Sequence, residues 1–144
     1  METYAIRLLP GQDLKLEVDD LVRKENWDAA CILTGIGSLR RVAIRFANQK
    51  EAEILEGPLE IISLGGTLSQ KGSHLHISVS DSAGAVSAGH LTEGAIIYTT
   101  AEIVLGILPG WRFSREFDSF TGFDELGVKR VGSETMSREG TSKI

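Results

Sequence analysis

Cysteine is all but missing from this chain. Cys31 is the only one in 144 residues, which excludes internal disulfides and any cysteine-based zinc cluster within one chain. It sits among Ala29, Ala30, Ile32 and Leu33 with no basic neighbour to lower its pKa, and reads as a small buried residue. A basic excess is missing too: 15 Lys+Arg face 20 Asp+Glu, a formal net charge of -5. Such a surface repels phosphate backbones, and the densest basic spots, Arg40-Arg41 and Lys129-Arg130, are mere pairs. No apolar run approaches the roughly 20 residues that a membrane-spanning helix needs. The opening Met-Glu-Thr-Tyr-Ala-Ile-Arg-Leu-Leu-Pro has no basic region ahead of an apolar one, so a cytoplasmic location is the expectation. Gly35-Ile36-Gly37 lacks the third glycine and following helix of a dinucleotide fingerprint, and reads instead as a tight bend with close backbone packing.

What is present is ordinary globular material. Hydrophobic residues make up 42% and charged residues 24%, and the length suits one domain with one core. Residues 3 to 9 alternate as an opening strand, and Pro10-Gly11 supplies a turn. Asp13 can cap a helix running to about Asn26, with Leu14, Val18, Leu21 and Val22 on one face. From there the pattern turns to β. Strands are expected at 30–33, 39–46, 51–55, 59–69, 73–80, 85–91 and 95–108, separated by glycine-rich turns such as Gly57-Pro58. One helix against so many strands argues against parallel βαβ winding. The expected fold is α+β, a mostly antiparallel sheet packed with one N-terminal helix in a single domain. Residues 128 to 144 are polar and rich in Ser, Thr, Gly and Glu, so a flexible tail is expected over 131–144.

All three histidines lie between positions 74 and 90. In Ser73-His74-Leu75-His76-Ile77-Ser78-Val79-Ser80 the side chains alternate strictly. His74, His76, Ser78 and Ser80 share one face; Leu75, Ile77 and Val79 take the other. Two strand histidines at i and i+2 stand roughly 6.5 to 7 Å apart at Cα, close enough for both rings to meet one cation. His90 is the only third imidazole. If Asp81-Ser82-Ala83-Gly84 is a four-residue hairpin loop, Ser80 faces Ala85 and His90 faces Leu75, on the apolar side. A three- or five-residue loop, or a β-bulge at Gly84 or Gly89, brings His90 level with His74 or His76. His74, His76 and His90 are therefore the candidate metal ligands, with two exposed histidines and a core third as the competing reading.

Ser78, Glu102, water or a neighbouring subunit could complete such a ligand set, and an open position would permit Lewis-acid chemistry. Glu102 lies between Ala101 and Ile103 in an apolar strand. There an ionised group wants a partner, and Arg112 or Arg115 is the expected one. Asp81, Glu93 and Glu102 are the carboxylates near enough in sequence to be considered as general bases.

The order of these motifs resembles the PPC (plants and prokaryotes conserved) domain family over residues 3 to 130. The most specific pieces are Gly72-Ser73-His74-Leu75-His76-Ile77-Ser78, then Gly84 and Ala88-Gly89-His90-Leu91. They are similar to the family's Gly-x-x-His-x-His and Gly-x-x-x-Gly-Gly-His-Leu pattern, with Ala88 in place of a glycine. Gly35-Ile36-Gly37-Ser38, the run from Gly57 to Gly66, Ala101-Glu102-Ile103, Arg115-Glu116-Phe117-Asp118 and Thr121-Gly122 match as well. The resemblance implies an α+β domain over 1–130 that assembles as a homotrimer, with the histidine segment near subunit contacts and zinc held there in some prokaryotic members. It also implies protein partners contacting Gly57 to Leu64, where Pro58-Leu59 departs from the plant Arg-Phe. Plant members carry an Arg-Gly-Arg-Pro element for the minor groove of A·T-rich DNA; this chain has none.

The leading expectation is a homotrimeric accessory or regulatory module binding zinc or another divalent transition metal. A metal-dependent enzyme on a small molecule and a sequence-tolerant A·T-rich DNA binder are the alternatives. A chain with no reaction of its own is expected over an enzyme, because no nucleophile–base motif is present.

Overall fold

The computed structural model describes residues 1–132. The chain runs β1 (Glu2–Leu8), α1 (Leu14–Lys24), β2 (Ala30–Arg45), β3 (Glu53–Ser69), β4 (Gly72–Ser80), β5 (Val86–Leu91), β6 (Ile96–Ile107), β7 (Trp111–Asp118) and β8 (Phe123–Arg130). The α+β expectation holds: mostly antiparallel sheet, with one helix near the N-terminus.

Helix α1 starts where the sequence places its cap. Asp13 accepts hydrogen bonds from the backbone N–H groups of Lys15 (3.0 Å) and Leu16 (3.3 Å), satisfying donors that the first turn leaves free. Its other carboxylate oxygen accepts from Gly94 N–H, which ties the cap to the chain entering β6. Leu14, Val18 and Val22 are buried on one helical stripe and join the core formed by the inner sheet face.

The sheet order is β1-β6-β2-β3-β4-β5, with β5 also pairing β2. Strands β2, β3, β4 and β5 thus form a closed circuit. Along the remaining edge of β2, β6 pairs from Ala30 to Arg41 and β5 takes over at Ile44 and Arg45. Leu75, Ile77 and Val79 of β4, Ile44 of β2 and Leu91 of β5 are buried inside the circuit, so the residues alternating with them face outward.

Several expected boundaries move. Segments 30–33 and 39–46 are one 16-residue strand, and 51–55 and 59–69 are parts of one 17-residue strand. The expected bends are places where the β2 register shifts, between Ile32 and Thr34 and between Gly37 and Arg41. Bulges kink a long strand without ending it. Cys31, expected to be buried, is half-buried. The chain after Pro109 also forms a hairpin that periodicity did not reveal: β7 pairs β8 from Trp111–Arg130 to Asp118–Phe123. Residues 128–130, counted among the polar stretch, close that hairpin. Of the expected tail over 131–144, residues 133–144 lie outside the described residues.

Candidate metal centre

The turn after β4 decides where His90 points. Ser80 pairs with Val86, not Ala85, so the loop holds five residues, 81–85. Asp81 shapes it. Its Oδ1 accepts from the N–H groups of Ala83 and Ala85, both at 2.9 Å, while its own N–H donates to Ala85 O at 3.0 Å. Ala85 is thereby held in the loop, and the extra residue turns β5 over. His90 then pairs with His76, and Ser78 with Ala88.

One cross-strand row now runs around the outside of the circuit. Arg45 of β2 is the partner of His90, His90 of His76, and His76 of Gly65 on β3. Two residues along, on the same face, Thr67 partners His74. Side chains opposed in this way project from the same face with Cβ atoms about 4.5–5.5 Å apart. Two glycines let the strands approach this closely. A Cβ on Gly89 would lie 2.7 Å from Arg45 O, and one on Gly66, at φ +151, would lie 2.0 Å from His74 O. Gly65 has nothing within 4 Å of its missing Cβ, and the gap opens into a cavity of about 300 Å³ lined by Gly65, Gly66, Thr67, His74 and His76.

The three rings converge. His74 Nε2 is 3.2 Å from His76 Nε2, and His90 Nδ1 is 3.1 Å from each of them. His74 and His90 are stacked at an interplanar angle of 18°, and His76 stands edge-on to both. Three imidazole nitrogens in so small a triangle cannot all be satisfied by one another, since a neutral ring offers its other nitrogen only as a lone pair. A shared cation would satisfy all three. Nitrogens about 2.05 Å from a tetrahedral zinc stand about 3.3–3.4 Å apart, and about 2.9 Å apart on one face of an octahedron. The observed spacings fall between these values, so the residues fit a divalent transition metal.

The surroundings favour the neutral form of His74 and His90. Burial pushes the His74 pKa down, Arg115 and then His76 add to the effect, Glu125 opposes it, and Arg45 contributes least. His90 is also lowered, first by burial, then by Arg45, His76 and His74. Lone pairs are therefore available near neutral pH, as metal binding requires.

The other candidates lie elsewhere. Ser78 shares the face, but its hydroxyl is 2.6 Å from Ser63 Oγ. Glu102 is exposed and sits opposite Arg7 of β1 and Ile36 of β2. Along β2, Ile36 is nine positions from Arg45, roughly 30 Å of strand. Neither expected arginine reaches it: Arg112 pairs with Asp28 and Arg115 bonds Thr67. Alternation explains this, because buried Ala101 and Ile103 flank Glu102 and so send it outward. Asp81 is committed to its loop, and Glu93 is exposed beyond β5. The sequence reading missed Arg45, Thr67 and Glu125 at this site, and it assigned Arg115 a different partner. Strand register, which no local pattern encodes, brings them together.

Comparison with known proteins agrees with this architecture. A model of the Plants and Prokaryotes Conserved (PCC) domain matches residues 1–109. The bifunctional protein GlmU of Synechococcus sp. (strain JA-3-3Ab) is 44% identical over 135 residues, covering 94% of this chain and 22% of that protein. The chain thus spans about a fifth of the length of the curated relatives it matches. Among solved structures, a hypothetical protein from Salmonella cholerae-suis aligns with a TM-score of 0.88 at 42% identity, covering 90% of this chain and 94% of that one. A protein from Bacteroides thetaiotaomicron described as a "putative dna binding protein" aligns at 0.79 and 26%, covering 87% and 91%. A metal-containing protein from Archaeoglobus fulgidus aligns at 0.73 and 29%, covering 87% and 92%. Among the described residues no helix is long and apolar enough to cross a membrane. With the match spanning all but the final hairpin of the described fold, this chain belongs to the Plants and Prokaryotes Conserved domain family.

Proposed function

We propose that this chain is a metal-binding accessory or regulatory module, in which His74, His76 and His90 hold one zinc or similar divalent ion. The observation that carries the reading is the triangle of ring nitrogens 3.1–3.2 Å on a side. A structural zinc is usually enclosed by four protein ligands, whereas three leave a position for water or a ligand. Imidazole suits zinc, copper, nickel and iron alike, so the donor set defines the class of metal and not the element. The metal-containing relative supports the same reading, as does the match within GlmU proteins several times longer, where such a domain accompanies others. The test is metal content after zinc incubation and desalting. About one equivalent per chain is expected; less than about one-tenth overturns the reading.

Assembly as a homotrimer in the cytoplasm belongs to the same proposal. The β7–β8 hairpin favours self-association, because Phe117 and Phe123 on its two faces and Phe120 in its turn are 70%, 67% and 97% exposed. Light scattering at micromolar concentration tests this, and a monomer refutes it. Protein partners would meet the stretch from Gly57 to Leu64, where Ile62 is exposed on β3. A metal-dependent enzyme is the second reading, favoured by the open side of the histidine cluster. Its mark would be an activity lost in His74→Ala and His76→Ala chains that still fold and assemble. DNA binding has the Bacteroides relative's description behind it and the net charge of -5 against it; failure to shift A·T-rich duplex at low salt would remove it.

A further inference from the structure

Two guanidinium groups flank the histidine cluster, and among the described residues no carboxylate pairs with them. Arg115 is half-buried on β7, and its Nη2 donates to Thr67 Oγ1 at 3.1 Å. Thr67 lines the cavity beside His74 and is the strand partner of His74. This one bond brings Arg115 to the rim of the cavity and leaves most of its five donors unspent. Arg45 stands on the other side as the strand partner of His90, with Nη1 donating to Gln49 O at 3.3 Å. Among the described residues, neither arginine forms an ion pair. Glu125 is the one carboxylate whose charge reaches His74, and it acts more weakly there than Arg115.

Placing two cations beside a cluster meant for a third is electrostatically costly unless an anion joins them. Gly65 keeps open the space where it would sit: with no side chain at the position opposite His76, the cavity extends over the ring. Guanidinium groups match planar and tetrahedral oxyanions through paired N–H donors.

We propose that the open side of the histidine cluster is an oxyanion site, where a carboxylate or phosphate group takes the metal's free position and is clamped by Arg115 from the β3 side and Arg45 from the β2 side. The inference rests on the metal-binding reading above and names the class of ligand that reading leaves open. Arg115 is the principal clamp, because the Thr67 hydrogen bond fixes it at the cavity; Arg45 is the auxiliary one.

Cobalt(II) serves as a probe that separates the two ideas, since its visible absorption reports both its binding to imidazole and any change of its remaining ligand. The full chain would be loaded with cobalt and titrated with inorganic phosphate and, separately, with acetate. The bands should shift saturably with at least one anion, and which binds more tightly tells a phosphoryl ligand from a carboxylate. Arg115→Met should weaken that binding by at least about tenfold and Arg45→Met by a few-fold, both with cobalt content unchanged. Thr67→Val, which removes the hydrogen bond but keeps the guanidinium, should lie between wild type and Arg115→Met. Cobalt bands that form normally but ignore both anions at millimolar concentration overturn the oxyanion site alone, as does equal response in wild type and Arg115→Met. Absence of the bands overturns the metal reading and this one with it.

Discussion

Adjacent glycines on β3 should respond unequally to the same substitution, Gly66 strongly and Gly65 hardly at all. In Gly66→Ala the new methyl would stand 2.0 Å from His74 O and 2.8 Å from a Leu75 methyl, at a φ of +151. An ordinary carbon–oxygen contact needs about 3.2 Å, so β3 and β4 must separate by roughly 1 Å at this point. The backbone strain contributes about 1–3 kcal/mol and the forced repacking about 1–3 kcal/mol more. If half of this relaxes, about 1–3 kcal/mol remains, a fall in melting temperature of roughly 3–12 °C for a chain of this size. The displaced element is the one carrying His74, whose ring nitrogen stands 3.1–3.2 Å from both others. An added 1 Å there takes the triangle outside the span of one metal, and affinity should drop by at least about tenfold. In Gly65→Ala, one residue earlier, the methyl meets nothing within 4 Å, so stability should change by less than about 0.5 kcal/mol. Calorimetric melting of both variants without metal, followed by zinc titration, measures each effect. A Gly66→Ala chain with wild-type melting and wild-type zinc affinity would refute the packing argument, and with it the claim that close β3–β4 approach sets the cluster.

Other outcomes follow from the same structure. His90→Ala should cost zinc affinity as severely as His74→Ala or His76→Ala, by competition with a chromophoric chelator, because all three nitrogens are equidistant. With His74 and His90 held below their ordinary pKa, the native chain binds fewer protons than the unfolded one just below pH 6.5. Denaturant titration should therefore show metal-free stability constant above about pH 6.5 and falling as the solution is acidified below it; stability that rises on acidification contradicts the partly desolvated, neutral assignment of His74 and His90. Asp13→Ala removes the helix cap together with the Gly94 link and should cost about 1–2 kcal/mol by chemical denaturation. Leu75→Ala, at 1% exposure behind the histidine face, should cost about 2–5 kcal/mol in the same assay.

Strict alternation made half the site readable from the sequence. His74 and His76 had to share a face because β4 has no irregularity between Ser73 and Ser80, and the structure keeps that face outward. His90 was harder. Its side depends on whether Ala85 belongs to the loop or to the strand, and two hydrogen bonds to Asp81 decide that. Nothing in the composition of Asp81-Ser82-Ala83-Gly84 distinguishes four residues from five. Long strands were cut short in the reading because glycine and proline suggest turns, whereas β2 and β3 absorb them as bulges between paired neighbours. Glu102 misled for another reason: the apolar run around it suggested burial, yet in a strand the buried Ala101 and Ile103 put the residue between them on the opposite face. The β7–β8 hairpin escaped notice because its two strands pair mainly with each other and present no half-buried alternation of the kind a sheet packed on a core displays.

The five-residue turn after β4 also fixes the thermodynamic role a bound ion can have. All three imidazoles belong to one hairpin whose inner face, Leu75, Ile77, Val79 and Leu91, is already locked into the core. Chelation across it would close no long loop and organise no chain that burial has left free, so it would add stability only in proportion to ion concentration over dissociation constant. In zinc fingers, folding and loading are one event. Here folding and loading would be separable, because the core behind the hairpin is packed whether or not an ion is bound.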